Sequence, residues 1–471
     1  MKHGVLLYSL WMGTAAPLSA AASELYELFG TSIRVGAHYP ASREGYLDNG
    51  VACRFDAPHH PIGITEAVTR ALCHSPKVRA ARARVLLRAA EIGQTLSAYL
   101  PRVTATVDNR RTEQDFQHSL GTKFSTTTHG YSLRFDWLLL DLGHRSAKLN
   151  QARALHEAAN ADYNNVLQQT ILDVLKFYFD SIRAYASWNA SRKSEELAKL
   201  TLETATARHQ AGNVSLTDKL KAMNALSHAN AERIEAEREW RKSQGALATE
   251  LGLPPSTDLK LPDIDEISLR GNPIPKYEDL SVDDLVDQHP VVIAAAAEVA
   301  AAKQRIRLVR AEGMPALTLS GQYIRSPAPD SIVISPDNIV SIGIQLNIPL
   351  FHGFEPHYKT RGAEAELEAR RALLEEIRYK IRLDIWRAYQ DWLAAEENKT
   401  KIEALLDNVN QTLHITKGRY LAGIVDISEW LDAQKVKTET ERARINAEVH
   451  RHMTRITLSA SAGNLKNWIL Q

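Results

Sequence analysis

Two periodicities divide the chain. Val103, Ala105 and Val107 alternate with Thr104, Thr106 and Asp108, and Tyr131, Leu133, Phe135 and Trp137 alternate with Ser132, Arg134 and Asp136. The same period of two returns at Leu317, Leu319 and Tyr323, and again at Val340, Ile342, Ile344, Leu346 and Ile348. Successive side chains of a strand point to opposite faces, so each run predicts a strand with one apolar face, about 9–11 residues long. Polar stretches, residues 112–128 and 326–338, are expected to be the loops joining each strand pair. Elsewhere apolar positions recur at alternating spacings of three and four: Leu167, Ile171, Val174, Tyr178 and Ile182, then Leu374, Ile377, Ile381, Ile385, Ala388 and Trp392. That pattern predicts helices packed in coiled-coil fashion.

The chain is written twice. A helical stretch opens at His74-Ser75-Pro76 and closes at Pro101, and another opens at Gln288-His289-Pro290 and closes at Pro315, with 25 positions from proline to proline in both. A strand pair follows, ending in a glycine turn at Gly143 and at Gly353. A long helical stretch then reaches a second glycine, Gly212 or Gly423, 69 and 70 positions on. A returning helix is expected from about Leu216 to Leu251 and from about Ile427 to Ala462, each glycine making the left-handed turn of an αα-hairpin. The resulting organisation is a segment 1–22, an N-terminal periplasmic segment 23–61, a first repeat 62–253, a linker 254–280, a second repeat 281–463 and a tail 464–471.

Helices of this length leave the strand pairs no compact core to pack on. If the strands span a membrane instead, four per chain cannot close a barrel, for which about eight is the practical minimum. Open strand edges are not tolerated in lipid, so several chains must share one barrel.

Composition narrows the partners. Lys+Arg 57 against Asp+Glu 56 leaves no basic excess to neutralise a phosphate backbone, so no nucleic acid is expected. Past the N-terminus no run of 18 apolar residues occurs, which excludes a helical membrane protein but not a β-barrel. Residues 1–22 carry Lys2 and His3, an apolar stretch from Val5 to Leu18, and small residues at Ser19-Ala20-Ala21-Ala22, the layout of a secretory signal. Only two cysteines, Cys53 and Cys73, are present. In an oxidising compartment they permit one disulfide tying the N-terminal segment to the first helix; alternatively Cys73 is a small buried helical residue and Cys53 a free thiol.

No catalytic constellation emerges. His156-Glu157-Ala158-Ala159-Asn160 approaches a zinc-protease motif but has Asn160 where the second histidine belongs. There is no phosphate-binding loop, dinucleotide fingerprint or nucleophile elbow. His59-His60 and His450/His452 are expected to be solvated rather than metal-bound. An enzyme, a metal and a cofactor are therefore not expected.

The turns "FDWLLLDLGHRSA" and "IQLNIPLFHGFEPH", with the tips "ARHQAGNVSLTDKL" and "GRYLAGIVDISEWLDA", resemble the TolC family of outer-membrane efflux and secretion proteins, over about residues 62–463. The resemblance implies an α+β membrane protein: a trimeric outer-membrane β-barrel, four strands per chain, continued by a long periplasmic α-helical barrel built from two internal repeats. It implies partnership with a periplasmic membrane-fusion adaptor, with an inner-membrane ABC transporter or a proton-driven pump, and with outer-membrane lipid. The opening "ALCHSPKVRAA" and the cysteine pair resemble the branch serving type I protein secretion; a multidrug or metal efflux duct and a coiled-coil structural protein are the rival readings.

By the same resemblance the periplasmic gate lies at the tips. Glu429 and Asp432, three apart on one helical face, are the expected carboxylate rings, although an acid in a helix's first turn also complements the helix dipole. Asp218 is the first-repeat counterpart of Glu429, and Tyr420 and Arg419 belong to the same gate. The family's basic residue in the second tip falls here on Val425, so Arg419 and Lys417 are the nearest substitutes. Arg208, Gly212, Val214, Ser215, Leu216, Gly423, Ile424 and Val425 form the expected adaptor-docking tips, with local packing of the turn accounting for part of this set. Tyr131, Phe135, Trp137, Tyr323 and Ile344 are expected to face the membrane. The family's paired glycines are replaced in the second strand-to-helix turn by Gly353-Phe354, a departure expected to alter the local turn alone.

Overall fold

A computed structural model describes residues 60–115, 123–264, 276–325 and 338–463, with residues 53, 55 and 274. The expected signal segment 1–22, nearly all of 23–61 (His59 included), the linker centre 265–273 and the tail 464–471 lie outside the described residues. The element order is α1 (Ile64–His74), α2 (Pro76–Ser97), β1 (Arg102–Asp115), β2 (Lys123–Leu140), α3 (His144–Gln210) and α4 (Leu216–Glu250). A short 3-10 turn (Tyr277–Asp279) leads to α5 (Val282–Gln288), α6 (Pro290–Glu312), β3 (Ala316–Arg325), β4 (Asn338–Asn347), α7 (Glu355–Leu421) and α8 (Ile427–Ser461). Both α3 and α7 contain 67 residues, about 100 Å of helix at 1.5 Å per residue. Among the described residues no single helix is long and apolar enough to cross a membrane.

The helical stretches that open at His74-Ser75-Pro76 and Gln288-His289-Pro290 are α2 and α6, and each is preceded across a break by a shorter helix, α1 or α5. Ser75 and His289 precede prolines and adopt extended ψ values of 119° and 130°. Proline crowds the residue before it out of helical geometry, so α1 stops before α2 and α5 before α6.

The strands form one antiparallel sheet in the order β1-β2-β3-β4. Register brings Val103 opposite Phe135, Leu133 opposite Tyr323, Trp137 opposite Leu319, and Leu319 opposite Ile344. Side chains directly opposite share a face, so Val107, Tyr131, Phe135, Trp137, Tyr323, Ile342 and Ile344 line a single apolar surface. Arg134, Gln322 and Ser341 lie in register on the other face. β1 and β4 are the sheet's edges, each paired on one side alone. The first hairpin is longer than expected: β1 has 14 residues and β2 has 18, so residues 112–115 and 123–128, expected in a loop, are strand. Ladder pairing continues there between Arg111 and Thr127 and between Glu113 and Ser125. Backbone hydrogen bonding does not require an apolar face, which is why the end of alternation understated the strands.

Two compact units emerge. One holds the sheet with Ala83–Asn160 and Ala294–Leu374. In it Val299 and Ala302 of α6 pack against Leu367 of α7, flanked by ion pairs Arg370–Glu298 (2.6 Å) and Arg310–Glu364 (2.7 Å). Buried Arg145 fastens the first strand-to-helix turn: it pairs with Asp141 at 2.9 Å, donates to the Leu138 carbonyl at 2.8 Å and covers the Tyr99 ring. Trp137 Nε1 donates to the Tyr99 carbonyl at 3.0 Å.

The other unit holds Ala161–Ile293 and Glu375–Gln471 with residues before Ala83. The predicted seam residues Ile171, Val174, Tyr178 and Ile182 of α3 form its core with Ala67 and Ala71 of α1, Leu247 of α4 and Ile456 of α8. Tyr178 Oη donates to the Ile62 carbonyl at 2.9 Å. Cys53 and Cys73 are joined by a disulfide across 20 positions. Each hairpin ends in a left-handed glycine pressed against the opening of its repeat: a Cβ on Gly252 would lie 2.7 Å from His74 Cβ, and one on Gly463 would lie 3.2 Å from His289 Cα. The expectation that His452 is solvated is wrong. It is buried, stacked on Phe179 at 5.5 Å and 3.2 Å from Glu448, because α8 turns that face to the α3 core while its neighbour His450 points outward.

Candidate gate at the hairpin tips

The tips are built by helix-end chemistry. At the end of α3, Gly212 donates to the His209 carbonyl and Asn213 to the Arg208 carbonyl, with Gly212 at φ +76°. At the end of α7, Gly423 donates to Tyr420 and Ile424 to Arg419, with Gly423 at φ +75°. Both are Schellman closures, which need the left-handed conformation that glycine adopts without penalty. The returning helices start on side-chain caps: Ser215 with Asp218 in a reciprocal capping box, and Asp426 accepting from the Glu429 amide at 3.1 Å. Asp218 is thus occupied by its own helix start.

Between the two tips lies a small core of Ala205, Ala222, Tyr420, Ile427 and Trp430. The Tyr420 and Trp430 rings are nearly parallel at 6.3 Å, and burial pushes the Tyr420 phenol pKa up. Trp430 Nε1 and Gln434 Nε2 both donate to Thr201 Oγ1, at 3.2 and 2.9 Å. Arg208, expected on the docking surface, instead turns onto this core: it donates to the Tyr420 carbonyl at 2.8 Å with its guanidinium 5.2 Å from the Tyr420 ring centroid. Lys221 adds a bond to Ser428 Oγ at 2.7 Å. Arg419 pairs with Glu429 at 3.3 Å, and Asp432 stands exposed near it on α8. Of the expected docking residues, Leu216 and Ile424 are exposed, whereas Val214 and Val425 are half-buried and Val425 packs on the tip core. Sequence reasoning missed Trp430, Thr201 and Lys221 as tip-to-tip ties. The available signal was a tryptophan in the first turn of the returning helix.

The half of the protein that carries the sheet presents the other functional surface. Tyr131, Trp137, Tyr323 and Ile344 are exposed and Phe135 half-exposed, all on the apolar face. His156, of the incomplete zinc motif, is 3.3 Å from the Asn160 amide nitrogen, and no group of three or more potential metal ligands occurs among the described residues.

Residues 67–253 and 282–464 match the family described as outer membrane efflux protein. The chain belongs to that family. This outer membrane efflux protein is 30% identical to protein CyaE of Bordetella pertussis, over 98% of its own length and 95% of the relative's. It is 24% identical to outer membrane protein TolC of Vibrio cholerae, over 78% of this chain and 83% of that one. Its fold matches a crystal structure of CusC with a TM-score of 0.75 at 16% identity, covering 87% of this chain and 99% of the other. An outer membrane efflux protein is a duct and not an enzyme, and its place is the outer membrane, with its helical part in the periplasm.

Proposed function

We propose that this protein is the exit duct of a type I protein-secretion system, acting as a homotrimer that receives substrate from a periplasmic adaptor and an inner-membrane ABC transporter. The observation that carries the reading is the similarity to CyaE, which extends over the whole chain at 30% identity, beside 24% over 78% for TolC. Two surfaces that the described residues leave open support the trimer. Three copies of a four-stranded sheet supply twelve strands and leave no unpaired edge, as lipid requires. On α7, Tyr379, Leu383, Trp386 and Leu393 are exposed at spacings of four, three and seven, a coiled-coil seam that the described residues of the chain leave uncovered.

Within that assembly the tips act as the gate. Glu429 and Asp432 would form rings of three carboxylates each, which attract cations. The Arg208 clasp on Tyr420 holds the two hairpins of a chain together, and opening requires it to release. Leu216 and Ile424 give the adaptor an apolar contact next to each tip glycine.

Comparing the culture-supernatant proteome of a deletion strain with its parent tests the cargo. Loss of one or a few large proteins, restored by the intact gene, is the expected result. An unchanged supernatant, with raised sensitivity to small toxic compounds or metals, would replace this reading by a proton-driven efflux duct.

A further inference from the structure

The two hairpins of the sheet end at different levels. β3 reaches Arg325 opposite Tyr131, and no described residue pairs with β2 on that side beyond it. β1 and β2 nevertheless continue as a pair through Asp108–Asp115 and Lys123–Gly130, eight residues on each strand. At about 3.4 Å per residue this is a two-stranded ribbon roughly 27 Å long. The apolar face stops with the four-stranded sheet: Asn109, Arg111 and Glu113 stand opposite His129, Thr127 and Ser125, and all six are exposed. Arg111 is spent within the ribbon, 3.2 Å from Glu113 and 3.2 Å from Ser125 Oγ. Both strands join helices at their opposite ends, α2 before β1 and α3 after β2. With the helical part in the periplasm, the ribbon stands on the cell-exterior side of the duct.

The two edges of the ribbon are not alike. Native sheets guard a free edge with charge, proline or a bulge. Over Asp108–Asp115, β1 carries Asp108, Arg110, Arg111, Glu113 and Asp115. After Lys123, β2 reads Phe124-Ser125-Thr126-Thr127-Thr128-His129-Gly130, rich in β-favouring threonine and without proline, arginine or acid. Its ladder with β1 runs without a register shift, unlike its pairing with β3, which shifts between Leu138 and Leu140. Alternate residues of an edge strand turn N–H and C=O outward, so about half of Lys123–Gly130 offers backbone to a further strand. A two-stranded ribbon is only marginally stable in water, and a third strand strengthens it.

We propose that the β2 edge over Lys123–Gly130 receives an extended segment of the exported polypeptide as an added strand as it leaves the duct. Main-chain pairing gives affinity without reading side chains, which suits a partner whose sequence changes continuously as it threads past. Small molecules and metal ions have no strand to add. The inference rests on the protein-secretion reading of the cargo.

Hydrogen exchange resolved to single amides, on the full chain in nanodiscs, tests it. The probe is a soluble peptide of alternating threonine and valine with lysine at both ends, and the control is the same peptide methylated at every backbone nitrogen. With the plain peptide the outward amides of Lys123–Gly130 are expected to slow severalfold, while the alternate ones, already donating to β1, keep their rates. The methylated peptide is expected to change neither set. No slowing, or equal slowing by both peptides, would overturn the proposal. So would outward amides that exchange slowly before peptide is added, since residues 326–337 or a second copy would then cover the edge. The supernatant comparison reads the cargo separately. Protection by the peptide beside an unchanged supernatant would reject the secretion reading, and absent protection beside a lost secreted protein would reject the edge alone.

Discussion

Replacing Arg208 by alanine removes two contacts that hold the first hairpin tip to the second. The charge-assisted hydrogen bond to the Tyr420 carbonyl, at 2.8 Å in a half-buried setting, contributes about 1.5 kcal/mol. The guanidinium over the Tyr420 ring adds about 0.5 kcal/mol. Together, about 2 kcal/mol shifts a closed-to-open equilibrium roughly 30-fold for each chain. Arg419→Ala is the comparison. Its pair with Glu429 is 49% and 50% exposed, and pairs of that kind are worth about 0–1 kcal/mol, at most a fivefold shift. Conductance of single channels in planar bilayers, together with entry of a large hydrophilic antibiotic into cells, reads the opening. Arg208→Ala should open far more than Arg419→Ala, and Arg208→Lys should fall between, keeping the charge and losing the planar fork. Equal opening by the two alanine variants, or none by Arg208→Ala, would refute the clasp.

Gly212→Ala and Gly252→Ala separate backbone strain from crowding, since both glycines sit near φ +75° but only Gly252 has a neighbour within reach, His74. Thermal unfolding followed by circular dichroism should show a cost of about 1–2 kcal/mol for the first and roughly 3–4 kcal/mol for the second; equal costs would mean His74 yields freely. The Cys53–Cys73 disulfide constrains the unfolded chain across 20 positions, so Cys73→Ser, or reduction of the native protein, should lower stability by about 3 kcal/mol, visible as a melting temperature below that of the oxidised native protein. Glu448 has its carboxyl pKa held down at about 2, from 4.5, chiefly by His452 and then by Arg451, against the opposing effect of burial. A depressed carboxylate stabilises the fold above its unfolded value and loses that contribution as pH falls, here between about 4.5 and 2. Glu448→Gln should flatten the melting-temperature profile across that window, removing about 2 kcal/mol of acid sensitivity; an unchanged profile would assign the acid limb to other groups.

Helix ends were legible because their causes are local. Gly212 and Gly423 close Schellman turns, Ser215 and Asp426 cap the helices that follow, and all four can be read without knowing what lies across the fold. The heptad positions of α3 were legible for the same reason, since the residues that repeat every three and four are those buried in the core. Strand ends were not. β1 and β2 extend through polar residues that pair by backbone alone, and backbone pairing leaves no mark on side-chain composition.

The tips divide along the same line. The tip glycines could be placed by spacing within one hairpin, and so could the period-two face of each strand, whereas Glu429 and Asp432 come to the proposed gate by family resemblance. That Arg208 leaves the tip surface to hold Tyr420, that Trp430 meets Thr201 from 229 positions away, and that His452 is buried on Phe179 all depend on which helix faces meet. A contact between distant segments is set by helix rotation and axial offset, which many short-range preferences determine jointly and none encodes alone. Sequence by itself therefore determined the elements, their duplication and the turns between them. The tertiary structure alone decided which polar groups are spent on packing and which stay exposed at the tips.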